Sequence, residues 1–254
     1  MQGVMRKTAS LAVLATALTA TSASAIAADL PVYSKAPAVE AWNPWMIRVR
    51  AVGVFADGNS TVHVVNDPTL DSPRSGLSFS DQVMPELDVS YFFTKNIAAE
   101  AILAVPQRTT ITGTGQLAGL QIGKTTAIAP ILTFQYHVTD LGAFKPYIGL
   151  GINYTTSYNT KAANQPAMIG TGHGVLPVSV TSLSIGDSFG AVAQFGFDFM
   201  IDRHWGFNFD VKRVWMRPEY TAIDNVAGGA LITPAVGSAH VDPWLVGAGV
   251  TYKF

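Results

Sequence analysis

The sequence has no cysteine and unusually few charged side chains. Of its 254 residues, only 13% are Asp, Glu, Lys or Arg, whereas soluble domains average about 25%. Without cysteine the folded chain needs no disulfide bonds, so oxidative folding is not required. The 16 basic and 17 acidic residues nearly cancel and form no basic run, so nothing indicates a nucleic-acid partner.

Long apolar runs are also missing, apart from one near the N-terminus. Leu11–Ala20 is mainly apolar and follows the positive pair Arg6 and Lys7. It precedes Ala25-Ile26-Ala27, a small-x-small cleavage pattern, with Ala23-Ser24-Ala25 as a second candidate. The run is shorter than the roughly 20 apolar residues of a membrane-spanning helix. Residues 1–27 are therefore predicted to be a cleavable secretory signal peptide.

From residue 45 onwards, apolar and polar residues alternate in segments separated by connections that are long and short in turn. The final segment is the clearest, because Trp244, Val246, Ala248, Val250, Tyr252 and Phe254 share one face, with aromatics at both ends. This alternation is typical of strands that face lipid on one side. The preceding residues 28–44 are predicted to form an irregular periplasmic segment. The predicted strands span residues 45–55, 82–93, 97–105, 126–138, 145–154, 185–201, 204–215 and 241–254.

A chain that crosses a membrane without apolar helices must close into a barrel, because every backbone N–H and C=O group needs a partner in hydrocarbon. The predicted fold class is all-β: an eight-stranded antiparallel up-and-down transmembrane β-barrel over residues 45–254, with short periplasmic turns and long extracellular loops. An even strand number places both termini on the periplasmic side of the outer membrane of a Gram-negative cell. A soluble sandwich or lipocalin-type barrel is the alternative.

The opposite parity of each strand is predicted to face the lumen, and its residues differ between the two halves of the barrel. The half near the short turns carries charged and amide side chains, whereas the half near the long loops is apolar. The predicted polar lumen residues are Arg48, Arg50, Glu86, Asp88, Glu100, Gln135, His137, Gln194, Asp198 and Asp210. The predicted apolar channel lining is Val52, Val54, Met84, Ile102, Ala104, Ala129, Ile131, Val192 and Leu245.

An eight-stranded barrel is only wide enough for its own side chains, so the polar residues are interpreted as a plug of mutually paired charges. The apolar half is interpreted as a cup that takes up small hydrophobic molecules from outside. Because the plug blocks straight passage, release is expected to be lateral, between strands into the bilayer. Ordinary packing of an inert lumen, in a structural or receptor-type barrel, remains the alternative.

The chain resembles the OmpW family of small outer-membrane barrels over essentially its whole length after the signal peptide. The strand-five block and the Asp-Pro-Trp ending are the most specific parts. The resemblance rests on Asn96-Ile97-Ala98-Ala99-Glu100, Pro106 with Arg108, Lys145-Pro146-Tyr147-Ile148-Gly149-Leu150-Gly151-Ile152-Asn153-Tyr154-Thr155, Leu183-Ser184, Asp187-Ser188, Gly190-Ala191, Asp242-Pro243-Trp244 and Tyr252-Lys253-Phe254.

The resemblance implies a hydrophobic channel that passes small apolar compounds across the outer membrane. Some relatives are linked to stress adaptation or serve as receptors for colicins or phage. The family's gate involves a leucine of the first loop and an aromatic residue in the region of the third loop. Leu70 and Leu77 are first-loop candidates, but the third loop offers Tyr158 as its aromatic residue and no tryptophan, so no gate is assigned.

The expected partners are outer-membrane lipid and lipopolysaccharide, a small hydrophobic permeant, and the barrel-assembly machinery through the C-terminal strand. Neither a cofactor nor a metal is expected, since no histidine pair has metal-ligand spacing. A lipid-modifying outer-membrane enzyme is a remote alternative, because it needs a nucleophile beside a positioned histidine. Of the five histidines, only His137 is predicted to point into the lumen, next to Gln135, so the chain is predicted not to be an enzyme.

Overall fold

The computed structural model describes residues 42–56, 59–226, 228 and 231–254. The predicted signal peptide, 1–27, and nearly all of the predicted periplasmic segment, 28–44, lie outside the described residues. No helix in the described part of the chain is long and apolar enough to cross a membrane.

The described residues form mainly strands, with a short 3-10 helix at Pro68–Leu70. The strands in chain order are β1 (Trp45–Phe55), β2 (Asn59–Ser60), β3 (His63–Val64), β4 (Ser75–Phe79), β5 (Gln82–Phe92), β6 (Ile97–Ala104), β7 (Gln107–Gly115), β8 (Gln121–Ile128), β9 (Ile131–His137), β10 (Phe144–Ala162), β11 (Ala167–Thr171), β12 (Gly174–Ile185), β13 (Ser188–Met200), β14 (Trp205–Trp215), β15 (Glu219–Val226), β16 (Leu231–His240) and β17 (Trp244–Lys253).

Eight of these strands close into an antiparallel barrel. Their order around the wall is β13-β14-β17-β1-β5-β6-β9-β10, and β10 pairs with β13 to complete the circle. The first and last strands are neighbours, with Met46 opposite Lys253. The predicted fold class is confirmed. Short connections join β5 to β6, β9 to β10 and β13 to β14 at one end of the barrel, which is called the turn end. The opposite end is called the loop end.

The barrel wall is two-sided because its side chains alternate with the period of two that strands impose. On β10, Ile148, Leu150 and Ile152 are 66%, 71% and 61% exposed, while Tyr147 on the opposite face is 2% exposed. Aromatic side chains such as Phe144 sit at the edge of this outward apolar band. A band of exposed aliphatic residues flanked by aromatics is the surface that a barrel presents to a bilayer.

Val250→Arg tests whether this outer surface is lipidic. Val250 lies on the outward face of β17 between Trp244 and Tyr252 and is partly exposed. A guanidinium in the apolar band is expected to lower the free energy of barrel unfolding in lipid by about 2–4 kcal/mol, as measured by denaturant titration in bilayers. Val250→Ala is the matched control, and an equal, small effect of both substitutions would contradict a lipid-facing surface.

The sequence predicts only extracellular loops for the long connections, but the structure has strands in them. Each contributes strands: β2–β4, β7 and β8, β11 and β12, and β15 and β16. Predicted strand four, 126–138, is two strands, because Pro130 lies between β8 and β9 and has no N–H group to continue a ladder. Predicted strand five, 145–154, corresponds to β10, which is longer than predicted. It continues past the outward apolar band to Ala162 and pairs there with β8.

These additional strands pack around their own apolar core, and together they are called the loop domain. Leu70 and Leu77 belong to this core and are almost fully buried, so neither first-loop candidate is placed at a gate. The core is built from Val62, Val64, Leu70, Leu77, Ile111, Leu117, Leu120, Ile122, Ile169, Val178, Val180, Tyr220, Ala222, Val226, Ala235 and Ala239.

A single carboxyl group is buried on the core face of β15. Asp224 is 7% exposed and lies between Ala222 and Val226 on that face. Burial raises the pKa of its carboxyl from 3.8 to about 6, because removing an ionised group from water is costly. The folded loop domain therefore favours the protonated form of Asp224.

Asp224→Asn is expected to remove the loss of loop-domain stability that occurs as the pH rises. The pKa of Asp224 is higher in the folded state than in the unfolded state. The protonated carboxyl therefore contributes stability below about pH 4, and this stability is lost as the pH rises through about 6. The two-unit rise corresponds to about 3 kcal/mol at pH 8. Amide hydrogen exchange in β15 should accelerate from pH 4 to pH 8, after correction for intrinsic rates, in the wild type but not in Asp224→Asn. The exposed Asp81→Asn should behave like the wild type; unchanged wild-type protection across this range would refute the assignment.

Candidate functional site

The lumen site begins with two arginines on β1. Arg48 and Arg50 share the inward parity of this strand, and the register places them opposite Asp88 and Glu86 of β5. All four side chains are almost completely buried. The alternation that points the neighbouring aliphatic residues towards lipid therefore points these charges into the barrel.

Arg48 is held by two carboxylates from distant strands. Its guanidinium makes a two-pronged contact with Asp198 of β13, with Nε–Oδ1 at 3.0 Å and Nη2–Oδ2 at 2.7 Å. Nη1 donates to Ser90 Oγ at 2.9 Å and to Glu100 Oε2 at 3.2 Å. The Tyr147 ring lies beneath the guanidinium, 5.0 Å from ring centroid to Cζ. This fork connects β1, β6 and β13 through the middle of the barrel.

Arg50 is the centre of the second group of contacts. Its Nε donates to Glu86 Oε1 at 3.0 Å. Its Nη2 lies 2.7 Å from Asp88 Oδ2 and 2.9 Å from Glu100 Oε1. Its Nη1 donates to Asn208 Oδ1 at 2.9 Å. Glu100 therefore bridges the two arginines.

Lys212 of β14 completes the charged set and was not among the predicted lumen residues. Its Nζ lies 2.9 Å from Glu86 Oε1 and 2.8 Å from Asp210 Oδ1. Tyr147 donates its hydroxyl to Asp210 Oδ2 at 2.8 Å. Lys212 and Asn208 have the same parity on β14 as the predicted Asp210, and that shared parity was the available signal.

An amide chain connects the charges to the single lumen histidine. Gln135 Nε2 donates to Glu100, and to Gln194 Oε1 at 3.0 Å. Gln194 Nε2 donates to Asp210 Oδ2 at 2.7 Å. His137 Nε2 is 2.9 Å from Gln135 Oε1, and its ring contacts those of Phe92 and Tyr147. Among the described residues no group of three His, Asp or Glu side chains has metal-binding geometry.

The structure thus brings all of the predicted polar residues together in one buried belt, called the ion-pair layer. It holds five carboxylates and three cations, a formal surplus of two negative charges. Buried charges of this kind are tolerable only when paired and hydrogen-bonded. The layer fills the cross-section of the lumen with side chains. Its charged members are Arg48, Arg50, Lys212, Glu86, Asp88, Glu100, Asp198 and Asp210.

Arg50→Met tests how far the barrel depends on this layer. Removing the guanidinium leaves the carboxylates of Glu86, Asp88 and Glu100 buried with one cation fewer, which is expected to cost about 3–5 kcal/mol of unfolding free energy. Arg50→Lys keeps the charge but loses the fork, so it should recover only part of this loss. Denaturant titration in lipid measures both values; an Arg50→Met barrel as stable as the wild type would contradict the account.

Above the layer, towards the loop end, lies an apolar cavity of about 140 Å³. The predicted Val54, Met84, Ile102, Ala129, Ile131 and Leu245 line it. The predicted Val52 and Val192 do not line it, but pack with Ile102 and Ile131 in the apolar cluster of the lumen; the side chain of Ala104 is outside the described part. Lining residues that the prediction missed include Val214 and Met216 of β14 and its extension, and Phe79 and Ile185 of the loop domain.

The wall beside the cavity lacks strand pairing over a short stretch. One lining residue there, Val105, is 45% exposed. Pairing of β6 with β9 stops at Ile102 and Ile131, and pairing of β7 with β8 resumes at Gln107 opposite Ala127.

Between the β6–β9 pairing and the β7–β8 pairing, the two sides of the wall are not joined as paired strands. Residues 103–106 and 128–130 share no strand pairing, and both segments contain a proline, Pro106 and Pro130, which has no N–H to donate. The pairing of β5 with β6 ends where Glu86 lies opposite Ala104, and Pro85 is the next residue of β5. This region is called the side opening.

The fold and the site define a class of protein. The barrel has eight strands, an apolar outer band, a buried ion-pair layer and an apolar cavity at its loop end. These features define a small barrel of the bacterial outer membrane. Residues 44–254 match the OmpW family, and the chain belongs to that family.

Relatives and a solved structure agree with this assignment. The chain is 43% identical to the outer-membrane protein y4mB of Sinorhizobium fredii over 234 residues, which is 91% of this chain and 90% of the relative. It is 25% identical to the dibenzothiophene metabolism operon protein PahQ of Pseudomonas aeruginosa, covering 70% of this chain and 75% of that one. The crystal structure of the outer membrane protein OprG from Pseudomonas aeruginosa shares the fold, with a TM-score of 0.67, 23% identity, and coverage of 83% and 95%.

Proposed function

We propose that the protein carries small hydrophobic molecules from the cell surface into the outer membrane. In this proposal the loop end faces outside, the short turns and both termini face the periplasm, and the cavity receives the molecule. The molecule then leaves through the side opening between β6 and β9 into the hydrocarbon of the bilayer.

The observation that carries the proposal is an apolar cavity that lies above the buried ion-pair layer and beside a stretch of wall without strand pairing. The buried ion-pair layer, with Arg48 and Arg50 across the lumen, leaves no straight path towards the turn end. Val105 lines the cavity and is 45% exposed, which supports an exit through the wall at this point. The relative PahQ, whose name places it in a dibenzothiophene metabolism operon, supports an apolar permeant of aromatic type.

Uptake of toluene into asymmetric vesicles with lipopolysaccharide in the outer leaflet tests the cavity. Ile131→Asp places a carboxylate among the apolar lining residues, so uptake above the protein-free rate should fall at least tenfold. Ile131→Val keeps the lining apolar and should retain most of the wild-type rate. Equal uptake by the wild type and both variants would assign the lumen to an inert, structural or receptor-type barrel.

The side opening has a separate test. Pro106→Val with Pro130→Val restores two N–H groups where the ladder is missing, so the wall should pair further and toluene delivery should slow several-fold. Toluene binding in the cavity should remain. Pro146→Val is the matched control, because Pro146 lies on β10 away from the opening and opposite Phe197. Unchanged delivery by the doubly substituted barrel would exclude this exit.

A further inference from the structure

Three cationic side chains come together on the exposed face of the loop domain. Arg108 belongs to β7, Lys124 to β8 and Lys161 to the far end of β10, and all three are exposed. They line a polar pocket of about 490 Å³, called the basic pocket. None of the three lines the apolar cavity, so the basic pocket is a separate site.

The strand register holds the three cations close to one another. Lys124 lies directly opposite Lys161, and residues opposite each other in an antiparallel pair have their Cβ atoms about 4.5–5.5 Å apart. Lys124 also lies opposite Thr110. Arg108, two residues before Thr110, is therefore the diagonal neighbour of Lys124 on the same face, at a distance of about 7–8 Å. Backbone pairing thus fixes the cluster.

A bulge in β10 gives Lys161 its position. Regular pairing from the preceding residues would set Thr160 opposite Lys124, but the register shifts by one residue and Lys161 takes that place. Asn159, within the bulge, has a φ of 52°, a left-handed conformation that asparagine tolerates better than most residues. The hydroxyl of Thr160 lies instead 2.8 Å from that of Thr125. Bulges often re-aim a side chain, and here the re-aimed side chain is a cation.

Among the described residues, no carboxylate pairs with these cations. The other residues that line the basic pocket are Thr, Gln, Asn, Ala and Gly. Arg108, Lys124 and Lys161 make no ion pair or side-chain hydrogen bond with a described residue. Because like charges directly opposite each other are destabilising, Lys124 and Lys161 oppose the pairing of β8 with β10. An anion bound between them would relieve this repulsion.

The basic pocket continues the outward apolar band of the barrel. On β10, Ile152 is 61% and Tyr158 39% exposed, and both have the outward parity of the strand. Lys161 lies on the same face beyond the bulge, since it pairs with Lys124 next to the pair of Tyr158 with Thr126. One strand face therefore changes from aliphatic to aromatic to cationic, which is the order of hydrocarbon, interface and head groups across one leaflet.

We infer that the basic pocket binds the anionic head group of lipopolysaccharide in the outer leaflet. Arg108 presents a planar fork to a phosphate or carboxylate, while Lys124 and Lys161 supply point charges. The acyl chains of the same molecule lie against the apolar band below. A lipid fits better than a free anion because the cations adjoin this band on one strand face. The inference rests on the orientation given in the proposed function, in which the loop end faces outside.

Native mass spectrometry of the protein in detergent micelles tests the inference. The probes are lipid A, which is the phosphorylated anchor of lipopolysaccharide, phosphatidylglycerol as another anionic lipid, and inorganic phosphate as the free anion. We expect lipid A to bind in a one-to-one complex at least tenfold more tightly than phosphatidylglycerol. Inorganic phosphate in tenfold excess over lipid A should not displace it.

Matched double variants identify the groups responsible. Lys124→Gln with Lys161→Gln removes two charges from the basic pocket, so the affinity for lipid A should fall at least tenfold. Lys124→Arg with Lys161→Arg keeps both charges and should bind within threefold of the wild type. Lys95→Gln with Arg203→Gln removes two charges from exposed positions at the turn end and should bind like the wild type. Heat-modifiable gel mobility confirms that each variant is a folded barrel.

Four results would overturn the inference. They are equal lipid A affinity of the wild type and the Lys124→Gln, Lys161→Gln variant, an equal loss in the turn-end variant, phosphatidylglycerol bound as tightly as lipid A, and displacement of lipid A by inorganic phosphate. The proposed function is judged separately, because the basic pocket cations do not line the apolar cavity. Toluene uptake that ignores Ile131→Asp would contradict the proposed function while lipid A binding stands, and loss of lipid A binding would leave toluene uptake intact.

Discussion

The pairing of buried charges across the lumen is the interaction on which the rest of the structure depends. Arg48 and Arg50 stand on one strand, while their carboxylate partners come from β5, β6, β13 and β14. No pair of strands could bury these charges alone, because each unpaired carboxylate in a dry interior is strongly unfavourable. The layer is satisfied only when the wall has closed in its native register, so barrel closure and charge pairing require each other.

The same layer divides the lumen into a polar half and an apolar half. Below the cavity there is a hydrogen-bonded floor rather than a water-filled pore, and the narrowness of an eight-stranded barrel leaves no room beside it. In the proposed route, a molecule in the apolar half therefore continues through the wall. Strand pairing in the wall is interrupted near Pro106 and Pro130, and the cavity lining there includes the exposed Val105.

The sequence was most informative where a single physical rule controls the residues. Period-two alternation, with apolar residues towards lipid, predicted the closed barrel, and the polar residues that it assigned to the lumen are buried in the structure. It missed Lys212, which shares the parity of Asp210, because alternation assigns a residue to a face but does not show whether a lysine on that face has a buried partner. It also missed the strands of the loop domain, since Thr-rich and Gly-rich segments are polar and the core they bury is formed between distant connections. The break at Pro130 separates β8 from β9, and these two strands pair with different neighbours. Alternation along the sequence does not encode which strands pair.

Solid-state NMR of the arginine side chains in lipid bilayers tests the central claim most directly. If the ion-pair layer is dry and ordered, the Nε–H signals of Arg48 and Arg50 are resolved, exchange slowly with water, and correlate with the carboxyl carbons of Asp198 and Glu86. Averaged signals that exchange rapidly with water would mean an open, hydrated lumen and would contradict the account.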